Sequence, residues 1–348
     1  MKKLDVTRQD HDTVSEAIDF WETRGYLDPQ KSAELRDSLD VKSFDWGRLA
    51  RYAFWVALGC LVFAILSLFI DEAFVQFVQS LSDAPDVIYF GFFAALAVIF
   101  YALGFRYKLR HPTKTLSIET MMLVGVFATA ASIGFLGKIL GKDTSHYSLF
   151  FLLSVVIYGA LAVRFKSQLI WIFMLISLGI WFGTETAHHS NWGFQFWGMN
   201  YPLRFTLFGL VITLIAIFVV PRIKALLEFR KTSYVVGLLY LMISLWALSI
   251  FGNYSDWDRW ASIRQYEMFY WGLISTAVAL GLVLYGLRFK DNTTREIGFV
   301  FFIINIYTRY VEYLWDNMNR TLFFLFLAVS FWLVGRWAEK IWNKRNLD

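Results

Sequence analysis

Three polar side chains inside one apolar run are the residues of this sequence best placed to do chemistry. Asn305, Arg309 and Glu312 are spaced by four and then three residues, so on a helix they share one face. In a low-dielectric site an arginine can hold an anionic group, and a neighbouring glutamate can orient that group or exchange a proton. Tyr307 and Tyr313 flank the face and add hydroxyl groups. The pattern predicts a ligand-binding site formed by these five residues.

The same spacing also fits a purely structural arrangement. Arg309 and Glu312 could pair within the helix and reach a membrane surface through their long side chains. Asn305 lies deeper in the run, out of reach of that surface. Its surroundings therefore distinguish a binding site from an intrahelical ion pair.

A second polar group offers ligand types that metals use. Glu185, His188 and His189 would lie close together on a helix. A closed zinc site needs four ligands, and this segment supplies three at most, so we predict no metal site. The sequence contains no phosphate-binding glycine loop, no dinucleotide fingerprint and no hydrolase or metalloprotease motif. We therefore expect no cofactor and name no catalytic residue, although a membrane enzyme without such a signature stays an alternative.

The composition indicates that long apolar elements position these residues. Hydrophobic residues make up 57% of the 348 residues and charged residues only 18%, whereas soluble domains have about 45–50% and about 25%. The single cysteine, Cys60, excludes a disulfide or a CxxC site within one chain. The net charge of +5 is the excess expected of cytoplasmic loops in a membrane protein, so we predict a lipid bilayer and no nucleic acid as the partner.

The apolar residues fall into ten runs, which predict an all-α, polytopic transmembrane bundle of about ten spans. The runs cover residues 49–70, 87–105, 116–137, 147–163, 169–183, 205–221, 233–251, 268–287, 297–315 and 321–337. The run 169–183 is short for a span of about 20 residues, so we expect it to be partial or re-entrant. Small residues in the run 116–137 are spaced by four, which favours close packing of helices.

Lysine and arginine are concentrated in alternate short loops. If the N-terminus is inside, the inside loops and tail hold the basic clusters at 106–114, 222–231, 288–295 and 336–345, and the outside loops hold few basic residues. The outside loops are instead aromatic, with tryptophan and phenylalanine at 192–197 and tryptophan at 257 and 260. These aromatic residues fit an interfacial belt, with a lid or docking surface for an apolar ligand as the alternative. We predict a multi-pass protein of the bacterial inner membrane with both termini cytoplasmic.

Outside the membrane region we predict two short segments. Residues 1–45 form a cytosolic helical hairpin, in which Gly25 ends the first helix and Asp28-Pro29 starts the second. Residues 46–337 form the transmembrane domain and 338–348 a basic cytosolic tail. The hairpin is too small to bury much surface alone, so it is a possible docking site for a protein partner.

The element Trp21-Glu-Thr-Arg-Gly25-Tyr-Leu27, followed at once by many spans, resembles bacterial membrane proteins of the domain-of-unknown-function family 2157. The segment 305–310 is similar in style to the last spans of that family. The resemblance covers about the first 70 residues best. It implies a multi-pass membrane architecture and carries no established activity or catalytic residue.

Three functions fit the sequence. The first is binding or transport of a small or amphiphilic solute through an outward-facing polar pocket around Asn305, Arg309 and Glu312. The second is an assembly or sensor protein that acts through its N-terminal hairpin. The third is an enzyme on lipid-linked substrates, with Glu312, His188 or His189 as base.

Overall fold

The computed structural model describes residues 4–6, 8–41, 85–111, 114–141, 146–263, 265–315 and 318–345. The chain divides into two units, 1–84 and 85–348. Eight helices of the described residues have the length and apolar composition to cross a membrane. The predicted class, a bundle of apolar helices, is confirmed at this level. The predicted first span at 49–70 and the domain boundary at 45 lie outside the described residues, so both stay predictions.

The first unit contains two helices separated by a glycine turn. Helix α1 (Arg8–Thr23) ends just before Gly25, whose φ of +74° is a conformation that glycine adopts without a Cβ clash. Helix α2 (Pro29–Asp37) starts at the predicted place, with Asp28 at the N-cap position and Pro29 in the first turn. The Asp28 side chain makes no capping hydrogen bond there.

Residues that are far apart in the sequence form contacts between these two helices. Arg36 of α2 forms ion pairs with Asp19 and with Glu22 of α1, the latter at 3.1 Å. Two short strands, β1 (Leu4–Val6) and β2 (Leu39–Val41), pair in parallel. They are an exception to the all-α prediction. Both strands read Leu-Asp-Val.

The second unit is a series of long helices. They are α3 (Asp86–Arg110), α4 (Thr115–Leu140), α5 (Ser148–Phe165), α6 (Gln168–His189), α7 (Tyr201–Phe218), α8 (Arg230–Phe251), the short α9 (Trp257–Ser262), α10 (Phe269–Phe289), α11 (Asn292–Leu314) and α12 (Arg320–Arg345). Turns of 3-10 helix join α7 to α8. The apolar part described for α12, Arg320–Ser330, is shorter than the eight candidate spans, so the count of about ten spans stays a prediction.

Helix α6 differs from the expectation of a partial or re-entrant segment. It is a continuous helix of 22 residues, long enough to cross a membrane. The apolar run ends earlier because Thr184 and Thr186 interrupt it. Their hydroxyls donate to the carbonyls of Ile180 and Phe182, each at 2.8 Å, within the same helix. Such local bonds satisfy a polar side chain without ending the helix.

Eight of the long helices described pack mainly on a neighbour in the sequence, which gives the pairs α3–α4, α5–α6, α7–α8 and α10–α11. Glycines bring several of these helices close together. A Cβ at Gly209 would lie 2.3 Å from the Leu241 backbone nitrogen, and one at Gly298 would lie 2.8 Å from the Ala279 carbonyl oxygen. Helix α8 also contacts α10 and α11. It therefore connects the larger core of α3–α7 to the smaller core formed by α8, α10 and α11.

Candidate functional site

Asn305 is buried at the contact between α11 and α10. Its side chain is 1% exposed, and its amide nitrogen donates to the Gly272 carbonyl at 3.2 Å and to the Thr276 hydroxyl at 2.9 Å. The amide oxygen Oδ1 is buried without a hydrogen-bond partner. Asn305 thus joins two helices, and one acceptor of its amide stays unused.

Arg309 and Glu312 form a two-pronged ion pair. The Arg309 nitrogens Nη1 and Nη2 lie 2.7 and 3.0 Å from the two carboxylate oxygens of Glu312, and both side chains are largely buried. Arg309 Nη2 also donates to the backbone carbonyl of Ser249 at 2.9 Å. Gly272 of α10 packs against the guanidinium, since a Cβ there would lie 3.4 Å from it, at ordinary van der Waals contact. The structure therefore includes the intrahelical pair that the spacing allowed and fixes that pair to α8.

The remaining two predicted residues face different surroundings. The Tyr307 hydroxyl lies 3.2 Å from the Ser330 hydroxyl of α12, and Tyr313 is half-buried. A groove of about 620 Å³ between α8 and α11 is lined by Tyr307 and Glu312 together with mainly apolar side chains. Asn305, Arg309 and Tyr313 do not line it. Tyr307 and Glu312 thus line the groove, whereas Asn305 and Arg309 join α11 to α10 and α8.

A larger cavity, of about 670 Å³, lies between α4, α5 and α6. Its wall is mainly aliphatic and aromatic. Two charged side chains, Asp86 and Lys138, line one end of the cavity. The small residues of α4 that were expected to pack closely line this cavity: Ala130, Gly134, Gly137 and Gly141. A Cβ at Gly134 would meet no atom of the described residues within 4 Å. A Cβ at Gly137 would lie 3.6 Å from Phe150, and one at Gly141 would lie 3.1 Å from Tyr147. The expected close approach is therefore present at Gly137 and Gly141 and not at Gly134.

The histidines form a hydrogen-bonded cluster at the end of α6. The Nε2 atoms of His188 and His146 are 3.0 Å apart, and Glu185 accepts hydrogen bonds from Ser148 at 2.5 Å and pairs with His189 at 3.1 Å. Among the described residues no group of three His, Cys, Asp or Glu is placed to hold a metal. The cluster joins the start of α5 to the end of α6 through these bonds.

The two aromatic loops meet through asparagines. The Asn200 backbone nitrogen donates to the Asn253 side chain at 2.9 Å, and the Asn200 amide donates to the Gly252 carbonyl at 2.6 Å. The loops enclose a pocket of about 220 Å³ beside the ends of α7 and α8. The sequence suggested an interfacial belt for these aromatic residues, with a lid or docking surface for an apolar ligand as the alternative.

Sequence reasoning missed Arg204. This side chain is 1% exposed and lies in the first turns of α7. Its guanidinium carbon is 4.0 Å from the centre of the Tyr201 ring, and Nη2 donates to the Phe194 carbonyl at 3.2 Å. The Nε and Nη1 atoms are buried without hydrogen-bond partners. A single arginine in the first turn of an apolar run was the signal.

No family model, curated protein or solved structure matches this chain.

Proposed function

We propose that this chain is an integral protein of the bacterial inner membrane that binds a small amphiphilic solute in the cavity between α4, α5 and α6. Eight apolar helices are consistent with an integral membrane protein. Placement in the inner membrane, the cytosolic helical hairpin and cytoplasmic termini are part of the proposal and rest on the distribution of lysine and arginine. Membership of the domain-of-unknown-function family 2157 is also part of the proposal, and it rests on the resemblance of the segment 21–27.

The cavity is the observation that carries this proposal. Its volume of about 670 Å³ lies in the range of about 300–1,000 Å³ typical of small-molecule sites. The apolar wall would hold a hydrocarbon tail, and Asp86 and Lys138 would contact a polar head. Lys138 lies at the end of α4 that also faces the start of α5, which is the outward end in the predicted orientation.

The five predicted residues on α11 stay a second location for the solute. Tyr307 and Glu312 line the groove between α8 and α11, which is also mainly apolar. Arg309 holds the Glu312 carboxylate in place. A solute in this groove would meet Glu312 rather than Arg309, so a hydrogen-bond donor or a cation suits the site better than the anion that the sequence suggested.

The proposal is tested by a substitution that fills part of the cavity. Gly134→Leu places a side chain in the cavity, because Gly134 lines it and, in the part of the chain that the structure describes, nothing lies within 4 Å of a Cβ there. The control Gly281→Leu makes the same change on α10, where a Cβ also meets nothing and no cavity residue is involved. We expect Gly134→Leu to weaken binding of a fluorescent fatty acid by the purified protein at least about tenfold, which is about 1.4 kcal/mol.

The control variant should bind the probe as the unchanged protein does. Displacement of the probe by a neutral monoacylglycerol measures how much the charged end contributes. Equal binding by both leucine variants would contradict the proposed cavity, whatever the protein binds elsewhere.

A further inference from the structure

We infer that the pocket between the two aromatic loops is a binding site for a quaternary ammonium group. Five aromatic residues line it, namely Phe194, Tyr201, Phe251, Tyr254 and Trp260, and we call it the aromatic pocket. The carboxylate of Asp256 also lines it. Aromatic faces attract a cation through the ring quadrupole, and a cage of such rings is the usual way in which proteins recognise methylated ammonium groups.

The walls of the aromatic pocket are held before any ligand arrives. The Trp260 indole nitrogen donates to the Ile250 carbonyl at 3.2 Å. Asn200 fixes the other wall, since it bonds to Gly252 and caps α7 by accepting from the Leu203 nitrogen at 3.2 Å. A preformed cage loses little conformational entropy on binding.

The charge of Asp256 suits a cation. The backbone N–H of Arg259 donates to this carboxylate at 2.7 Å and holds the pKa of Asp256 below its usual value, so the group is ionised at neutral pH. Partial burial raises the pKa of Tyr254, so its ring stays a neutral phenol. The aromatic pocket therefore presents one negative charge among neutral rings.

Arg204 reduces the contribution that the Tyr201 ring can make to binding a cation in the aromatic pocket. Its guanidinium already stacks on Tyr201, and Arg204 does not line the aromatic pocket. A ring that holds one cation attracts a second one less strongly. Trp260 is then the strongest acceptor, because indole is the best of the three ring types for a cation.

The ligand class follows from the size and lining of the aromatic pocket. The volume of about 220 Å³ is below the range of about 300–1,000 Å³ typical of drug-sized ligands, so a small cationic group suits it. A primary amine would leave its N–H groups with few acceptors among aromatic walls, whereas a methylated ammonium has no N–H to satisfy. Free choline and the head of a choline lipid share this chemistry.

The experiment compares choline with its uncharged isostere 3,3-dimethylbutan-1-ol by tryptophan fluorescence titration of the full-length protein. We expect choline to bind at least about tenfold more tightly than the alcohol. Asp256→Asn should remove about that tenfold advantage while it keeps the cap of α9, since asparagine also caps helices. Trp260→Leu should weaken binding similarly, and Trp260→Phe should recover part of it.

The matched control is Asp258→Asn, which removes an equal charge from an exposed residue of α9 that does not line the aromatic pocket. It should leave choline binding unchanged. Binding of dihexanoyl phosphatidylcholine below its micellar concentration would assign the site to lipid heads if free choline binds more weakly, and to small solutes if choline binds as well. Equal affinity for choline and the alcohol, or equal loss in the two asparagine variants, would overturn the inference without touching the cavity of the proposed function.

Discussion

At the scale of single residues, the ion pair of Arg309 and Glu312 makes an asymmetric prediction. Removing one partner of a buried pair leaves an uncompensated charge, at a cost of about 3–5 kcal/mol. A carboxyl group can take up a proton and become neutral, but arginine cannot lose one in a protein. We therefore expect Glu312→Leu to lower the free energy of unfolding by about this amount, and Arg309→Leu to lower it by less. Unfolding of the purified protein in detergent measures both.

The double variant and a surface control complete this cycle. Leucine at both positions leaves no buried charge, so the double variant should be more stable than the sum of the single changes indicates. Glu296 lies exposed on the same helix, and Glu296→Leu should change stability little. Equal losses for Glu312→Leu and Arg309→Leu would contradict the argument from protonation.

At this scale the sequence predicted that the three polar residues share one helix face. It could not predict which groups on other helices they contact. A spacing of four and three fixes Asn305, Arg309 and Glu312 on one side of a helix whatever the fold. Two of the groups on other helices that accept their hydrogen bonds are the backbone carbonyls of Ser249 and Gly272, beside the Thr276 hydroxyl. Any residue has a carbonyl, so no residue type indicates which one lies opposite.

At the scale of helices, the contact between α10 and α11 depends on Gly298. A methyl group there would lie 2.8 Å from the Ala279 carbonyl oxygen and 2.9 Å from the Val283 nitrogen, so both helices must move. We expect Gly298→Ala to destabilise the protein by about 1–3 kcal/mol, the usual cost of overpacking. The thermal midpoint of the purified protein in detergent measures this loss.

The control for this prediction is Gly281→Ala on α10, where the added methyl group meets nothing. Alanine favours a helix over glycine by about 1 kcal/mol. The control should leave the thermal midpoint unchanged or raise it. A Gly298→Ala variant as stable as the control would show that α10 and α11 separate easily.

Helices were easier to predict than their ends and their spacing. Apolar runs predicted the eight described helices that are long and apolar enough to cross a membrane. The end of α6 was missed because local hydroxyl bonds continue a helix past its apolar part. The cavity was missed because a row of small residues is compatible both with contact and with space, and the side chains of other helices decide between them.

At the scale of the whole molecule, the orientation of the bundle is testable with two positions on either side of α8. Lys224 precedes that helix and Asp258 follows it, and both are exposed. In a background with Cys60→Ser, a membrane-impermeant maleimide should label Asp258→Cys in spheroplasts. It should label Lys224→Cys only after the membrane is opened.

This labelling tests both orientation and spanning. The reverse pattern would place the aromatic loops in the cytoplasm and invert the predicted topology. Equal labelling of both cysteines in closed spheroplasts would contradict the crossing of the membrane by α8. Immunodetection of the two variants in the membrane fraction is the control for expression.

The pairing of helices along the chain has a consequence for biogenesis. In each of the pairs α3–α4, α5–α6, α7–α8 and α10–α11, the two partner helices are synthesised one directly after the other. Contacts between neighbours in sequence form fast because they close short loops. Each pair can therefore assemble as soon as its second helix leaves the ribosome. By the time α10 and α11 are synthesised, the helices α3–α8 can already be packed. The later pair then joins that bundle through its contacts with α8.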